Sequence, residues 1–367
     1  MNNYPQKRRC LESITPYVPG KPIEEVEREL GLSDVVKMAS NENPLGPSPL
    51  AMEAVKNYLQ KINYYPDGNG YYLKQALVAK LGIKEENIVL GNGADELITL
   101  LGVAYLNPGD EIVMAQPSFS EYDFSARLMD ATPISVPCKG FRHDLEAMLA
   151  AITGRTRIVY ICNPNNPTGT IVNKGELEEF LEKVPPEVLI VLDEAYREFV
   201  DDPSYPDTLE LIKSNLNVLI MRTFSKIYGL AGLRVGYVLA SEQLITDLNT
   251  VREPFNVNSL AQVAARAALE DEEFIQKVRK NNFAGKEYLS GEFKRMGLYY
   301  VPTQANFFFV DVGVDSKELF QRLLRKGIIV RTGDIFGYPQ FIRVSIVQEE
   351  GNRRFIKALE ETLQEMR

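Results

Sequence analysis

The sequence predicts an α/β protein: a large, doubly wound, mostly parallel sheet followed in the chain by a smaller α+β unit. Three observations carry that expectation. Between residues 87 and 240 short apolar runs alternate with loops and helical stretches, the rhythm of parallel strands covered by helices. Near Arg252-Glu-Pro-Phe-Asn256 that rhythm gives way to two successive helices and then widely spaced strands. A length of 367 residues, 45 % hydrophobic and 25 % charged, is enough for two domains with large cores. The organisation expected is an N-terminal arm over 1–40 that joins the smaller domain, a large domain over 41–252 and a small C-terminal domain over 253–367.

The elements follow in order. Thr15-Pro-Tyr-Val-Pro-Gly20 is turn-rich, and Ile23 to Leu30 reads as a charged helix closed by Gly31. Ala39-Ser-Asn-Glu-Asn-Pro-Leu-Gly-Pro-Ser-Pro49 is too dense in Pro, Gly and Asn for regular structure; it reads as a functional loop or a plain linker. Leu50 to Leu59 and Tyr72 to Leu81 are helical, with the irregular Tyr64-Tyr-Pro-Asp-Gly-Asn-Gly70 between them. Strands are expected at Asn87–Leu90, Glu111–Ala115, Thr132–Val136, Arg157–Cys162, Val188–Leu192, Val218–Met221 and Val235–Ala240. Helices intervene, among them an apolar one read from Glu96 to Leu106 and another from Lys174 to Lys183. Beyond residue 252 come helices Val257–Leu269 and Glu272–Met296, the latter stopped by Gly297. Strands at Phe307–Val310, Ile328–Arg331 and Phe341–Ile346 then alternate with helices Ser316–Lys326 and Gln348–Met366.

Composition removes several function classes. A net charge of -9 argues against a nucleic-acid surface. No apolar run reaches the roughly 18 residues of a membrane span. The basic N-terminus lacks the apolar stretch of a signal peptide. Three cysteines, Cys10, Cys138 and Cys162, have no metal-ligand spacing, and a reducing cytoplasm is expected. His143 is the one histidine, so multi-histidine metal sites are set aside and no metal is expected.

Ligands of open α/β sheets sit beyond the carboxyl ends of the parallel strands. Four expected strand ends carry polar, loop-forming clusters: Gly91–Asp95, Asn163–Gly169, Asp193–Tyr196 and Thr223–Lys226. Singly each reads as a tight turn, a proline turn, an N-cap or a solvated lysine; their coincidence points to a site. Lys226 follows a buried strand and has Thr223 and Ser225 beside it, which suits pyridoxal 5′-phosphate held as a Schiff base. Gly93 and Ala94 open a helix whose free N–H groups favour a phosphate, and Arg234 adds a charge-assisted donor. Asp193 can pair with a protonated pyridine nitrogen, while Asn166 and Tyr196 can hydrogen-bond the ring hydroxyl. Phe119 stands either as a stacking face for the ring or as an ordinary core residue.

The set Asn166-Pro-Thr-Gly169, Asp193-Glu-Ala-Tyr196, Ser225-Lys226 and Arg234-x-Gly236 resembles the fold-type I pyridoxal-phosphate aminotransferases. More narrowly, Ala39–Ser48, Tyr65-Pro-Asp67, Gly91-Asn-Gly-Ala-Asp-Glu96 and Arg222–Arg234 resemble the histidinol-phosphate aminotransferases. So do Pro254-Phe-Asn-Val257, Pro302–Phe307, Gly327-Ile-Ile-Val-Arg331 and Phe341-Ile-Arg-Val-Ser345, over nearly the whole chain. The resemblance implies that Asp95 joins the cofactor contacts, and that Tyr17, Asn41, Asn166, Arg331 and Arg343 meet substrate. It also implies a homodimer whose sites are each completed by a neighbour's tyrosine, here matching Tyr65. One departure is Phe119, where many members have tyrosine: stacking survives, a ring-hydroxyl contact does not. The implied reaction exchanges L-histidinol phosphate and 2-oxoglutarate for imidazole-acetol phosphate and L-glutamate. Rivals are a threonine-phosphate decarboxylase and an aromatic amino-acid aminotransferase. A DNA-binding regulator built on such a domain would need a module that the residues before Ala39 do not supply.

Overall fold

The structure, a computed structural model, describes residues 5–15, 20–214 and 217–366. A two-residue strand, β1 (Val36–Lys37), precedes the main sheet. That sheet is built from β2 (Ile88–Gly91), β3 (Glu111–Gln116), β4 (Thr132–Pro137), β5 (Thr156–Cys162), β6 (Leu189–Asp193), β7 (Val218–Thr223) and β8 (Gly236–Leu239). Their order is β2-β8-β7-β6-β5-β3-β4. Only β8 runs antiparallel to its neighbours. The sheet is therefore mostly parallel, and the strand ends named above gather along one edge.

Alternation along each strand explains why both faces are covered. Val159 and Ile161, Ile190 and Leu192, Val218 and Ile220 enter one buried cluster. Ile158 and Tyr160, Leu189 and Val191, Leu219 and Met221 enter another on the opposite face. Burial on both faces is what near-continuous apolar strands require. Each fully buried Ile, Leu or Val removed from water contributes about 1.5–3 kcal/mol.

The C-terminal elements form a four-stranded antiparallel sheet of β9 (Tyr300–Val301), β10 (Phe307–Asp311), β12 (Arg331–Thr332) and β13 (Phe341–Ser345), in the order β12-β13-β10-β9. Between β10 and β12, β11 (Ile328–Ile329) instead pairs with β1 in parallel. The single strand expected over Ile328–Arg331 is thus two. Residues before Val330 bond to β1 and residues after it to β13, while Val330 itself is buried in the local core. The partner β1, two residues long, has no periodicity to read. Met38 extends this junction: its N–H donates to Ile329 O at 2.7 Å and its carbonyl accepts from Ser345 N–H at 2.8 Å.

Two other differences have clear causes. The helix read from Glu96 begins at Gly93, because the Glu96 carboxylate accepts the Asn92 N–H at 2.6 Å and Gly93 takes φ 79° at the turn. The helix Ser259–Glu270 presents Ala261, Ala264, Ala265 and Ala268 to helices Pro49–Tyr58 and Tyr71–Leu81, inside the main core. Small side chains every three or four residues permit that close approach. Among the described residues no helix is long and apolar enough to cross a membrane.

Candidate active site

A cavity of about 390 Å³ opens at the carboxyl ends of β5, β6 and β7. Because β8 is antiparallel, its start lies at that same edge, which brings Arg234 to the cavity. Lining it are Ala94, Asp95, Phe119, Asn166, Asp193, Tyr196, Thr223, Ser225, Lys226 and Arg234 from the main-sheet side. Asn41, Arg331 and Arg343 line it from the other wall. Gly93 lies directly behind: a Cβ there would stand 2.4 Å from Arg234 Nη2. The positive φ of 79° favours glycine there, and any side chain would also push the Arg234 guanidinium aside.

Asp193 ends β6 on the face shared by Leu189 and Val191, so its carboxylate is buried, 3 % exposed. Its Oδ1 accepts the Ala195 N–H at 3.0 Å and its Oδ2 accepts the Tyr122 O–H at 2.6 Å. Both donors are neutral. Burial pushes this carboxyl up to about 6, against the lowering effect of the Tyr122 and Ala195 hydrogen bonds. The next residue, Glu194, points to the opposite face, where Arg222 Nε donates to it at 2.7 Å and Thr208 Oγ1 at 2.5 Å. That buried pair anchors the strand end carrying Asp193.

Lys226 is partly buried. Its Nζ donates to Ser40 O at 3.2 Å and lies 5.6 Å from the Tyr196 ring centroid. Burial brings its ammonium down to about 8; Arg343 and Arg234 push the same way, Glu42 and Asp95 oppose them. Thr223 and Ser225 hydroxyls are 3.0 Å apart, and Arg234 Nη2 donates to Asp95 Oδ2 at 3.0 Å. Asp95 therefore holds the guanidinium on the Gly93 side of the cavity.

The opposite wall is tightly bonded. Arg343 is 7 % exposed; it donates to Asn166 Oδ1 at 2.6 Å and to Ala39 O at 2.5 Å, between the rings of Phe307 and Phe336. Asn41 donates through Nδ2 to the Tyr196 hydroxyl at 3.1 Å and accepts from Ser345 Oγ at 2.8 Å. Arg331 is the cross-strand partner of Arg343 in the β12–β13 register.

Among the described residues the sequence-derived set converges, with Tyr65 apart. Tyr65 lies outside the cavity, 82 % exposed and stacked on Phe255 at 4.9 Å. Tyr17 lies outside the described residues. Sequence reading missed Tyr122, a buried tyrosine in the first turn of the helix Glu121–Leu128. It also missed Cys162 and Glu42 as lining residues; Cys162 is the register partner of Asp193.

Residues 33–359 match the family model described as aminotransferase class I and II, and the chain belongs to that family. Within it, the histidinol-phosphate aminotransferase of Moorella thermoacetica is 60 % identical over 360 residues, covering 98 % of this chain and 93 % of the relative. That of Caldicellulosiruptor saccharolyticus is 50 % identical, covering 97 % and 99 %. The crystal structure of histidinol-phosphate aminotransferase from Sinorhizobium meliloti, in complex with pyridoxal-5′-phosphate, superposes with a TM-score of 0.93 at 28 % identity, covering all of both chains.

Proposed function

We propose that this chain is a pyridoxal 5′-phosphate-dependent transaminase. It moves the amino group of L-histidinol phosphate to 2-oxoglutarate, yielding imidazole-acetol phosphate and L-glutamate in L-histidine biosynthesis. The observation that carries this reading is the pairing of a lysine of lowered basicity with a buried carboxylate in one cavity. The cofactor fits that pairing chemically. A buried carboxylate with only neutral donors is costly, and a cationic ring nitrogen offsets the cost. The glycine-lined helix start with Arg234, Thr223 and Ser225 supplies donors for a phosphate.

When bound, pyridoxal phosphate supplies a carbonyl for the substrate amine and a ring that withdraws the electron pair left at the substrate α-carbon. Lys226 anchors the cofactor and, as general acid–base, moves the proton at that carbon. Asp193 keeps the ring nitrogen cationic. Gly93, Ala94, Asp95, Thr223, Ser225 and Arg234 form the phosphate cradle, with Asp95 acting through Arg234. Asn166 and Tyr196 hold the ring hydroxyl, and Phe119 covers the ring face. Arg343, fixed between aromatic rings, takes the glutamate carboxylate bidentately, with Asn41 on the substrate side.

Arg331 is proposed as the reader of the substrate phosphate. A charge-assisted bond there is worth about 1.5–3 kcal/mol, or roughly ten- to hundredfold in specificity. Arg331→Ala is expected to lower kcat/KM for histidinol phosphate by about that factor while changing phenylalanine turnover far less. An equal loss on both substrates removes the assignment. The same side-by-side assay, extended to threonine phosphate with product analysis, tests the reaction class: carbon dioxide release in place of a keto product would overturn transamination.

The active unit is proposed to be a cytoplasmic homodimer, with the large domain over 41–252, the small one over 253–367 and the arm over 1–40 joined to the latter. Support for the dimer comes from exposed large side chains close in sequence, Ile62, Tyr64, Tyr65, Tyr71 and Tyr72, with Tyr65 stacked on exposed Phe255 and Tyr71 meeting Tyr72 edge-on. Such groupings mark association sites. Tyr65, outward here, reaches the partner's cavity in this reading. Mixing inactive Lys226→Ala chains with Tyr65→Ala chains is expected to restore activity through hybrids holding one intact site. Hybrids that form without regaining activity refute shared sites.

A further inference from the structure

Asp193 is held from inside the protein by a side chain that belongs to none of the sequence motifs. Tyr122 is fully buried, and its ring is clamped on two sides. One face stacks on Tyr160, with centroids 4.3 Å apart and planes 10° apart, and Phe119 meets it edge-on at 5.6 Å. The clamp leaves the phenol pointing at Asp193 Oδ2, 2.6 Å away. A carboxylate only accepts, so the phenol donates, and a bond this short between a buried hydroxyl and an anion is of the strong, charge-assisted kind.

We propose that Tyr122 is a positioning residue for the transamination: its phenol proton, donated to Oδ2, fixes the plane of the Asp193 carboxylate and keeps it ionised. The proposal rests on reading Asp193 as the partner of the cofactor's ring nitrogen. With Oδ1 held by the Ala195 N–H and Oδ2 by Tyr122, the carboxylate cannot turn about its Cβ–Cγ bond without breaking a bond at each oxygen. Lone pairs remain on both oxygens, and Asp193 lines the cavity. Removing Tyr122 takes away a donor that lowers the Asp193 proton affinity, leaving burial, Asp95 and Glu194 to raise it. The same ring also backs Phe119. Tyr122 therefore links the residue over the cofactor face to the residue at its nitrogen.

The test compares wild type, Tyr122→Phe and Asp193→Asn, each loaded with pyridoxal phosphate and labelled with carboxyl-¹³C aspartate. Infrared difference spectra assign the Asp193 carboxylate as the band lost in Asp193→Asn. In Tyr122→Phe that band is expected to shift or to convert to the protonated form, and cofactor affinity to fall about tenfold, the scale of one hydrogen bond to a charged group. A band and an affinity unchanged within twofold overturn the proposal, even with a lower melting temperature, because a merely structural tyrosine affects only the latter. If Tyr122→Phe does not fold, 3,5-difluorotyrosine at position 122 preserves the packing and makes the phenol more acidic. The band must then move, and an unmoved band overturns the proposal. Asp193→Asn binding cofactor as tightly as wild type refutes instead the underlying role of Asp193, so the two failures are separable.

Discussion

Lys226→Ala protein, loaded with pyridoxal phosphate and given no substrate, is expected to carry no covalently fixed cofactor after borohydride reduction and denaturation, whereas the wild type keeps it as a secondary amine on Lys226. Its turnover is expected to fall by at least the ~10²–10⁴-fold contributed by a general acid–base. The expectation follows from placement. Lys226 Nζ shares a cavity with buried Asp193 and lies against the Tyr196 ring, and its ammonium is brought down to about 8 by burial and by Arg343. A lysine near that value holds a substantial neutral fraction under mildly alkaline conditions, so it is both nucleophile and proton carrier. The same shift has a sign in stability. Between pH 8 and 10.5 the unfolded chain holds this proton more tightly than the folded one. The cofactor-free protein therefore gains stability from this group as pH rises through that window, and Lys226→Met removes that gain. Cofactor still covalently fixed to Lys226→Ala after reduction would sink the assignment outright.

Much of the site was legible because strand ends that turn abruptly polar are visible in sequence. Lys226, Asp193, Asn166 and Gly93 each stand where an apolar run stops, and β7, β6, β5 and β2 do end there. What was not legible depends on contacts between distant segments. That Arg234 reaches the same edge follows from β8 running antiparallel, a property of the sheet order and not of the local pattern. That Asn41 holds Tyr196, 155 residues away, and Ser345, 304 residues away, needs β1 and β13 to be brought together. The pairing of Arg331 with Arg343 was hidden because the run Ile328–Arg331 looked continuous, whereas it changes partners at Val330. Tyr122 was hidden for another reason: on a helix, a buried tyrosine reads as core until its hydroxyl's partner is known.

Asp193→Asn is expected to leave the fold intact and to cut turnover by at least the ~100-fold scale of lost preorganised electrostatics. The carboxylate lies in a preorganised bed, with Ala195 N–H on one oxygen, Tyr122 on the other and Glu194–Arg222 bracing the strand behind. An amide oxygen can accept the Tyr122 hydrogen bond, but its NH2 then faces the Ala195 N–H, and it carries no charge to hold a cationic ring nitrogen. Stability moves independently of turnover. The folded-state proton affinity of Asp193 is raised from 3.8 to about 6, so the folded chain binds this proton more tightly across that interval. In the cofactor-free protein this contribution is complete below pH 3.8 and is lost as pH rises to about 6. Above that point the chain bears a buried, unpaired anion. Cofactor-free Asp193→Asn is accordingly expected to lose the stability slope between pH 4 and 6, while binding pyridoxal phosphate less tightly. Melting curves at pH 4, 6 and 8, with and without cofactor, check this directly, and near-normal turnover in Asp193→Ala would rule out the role altogether.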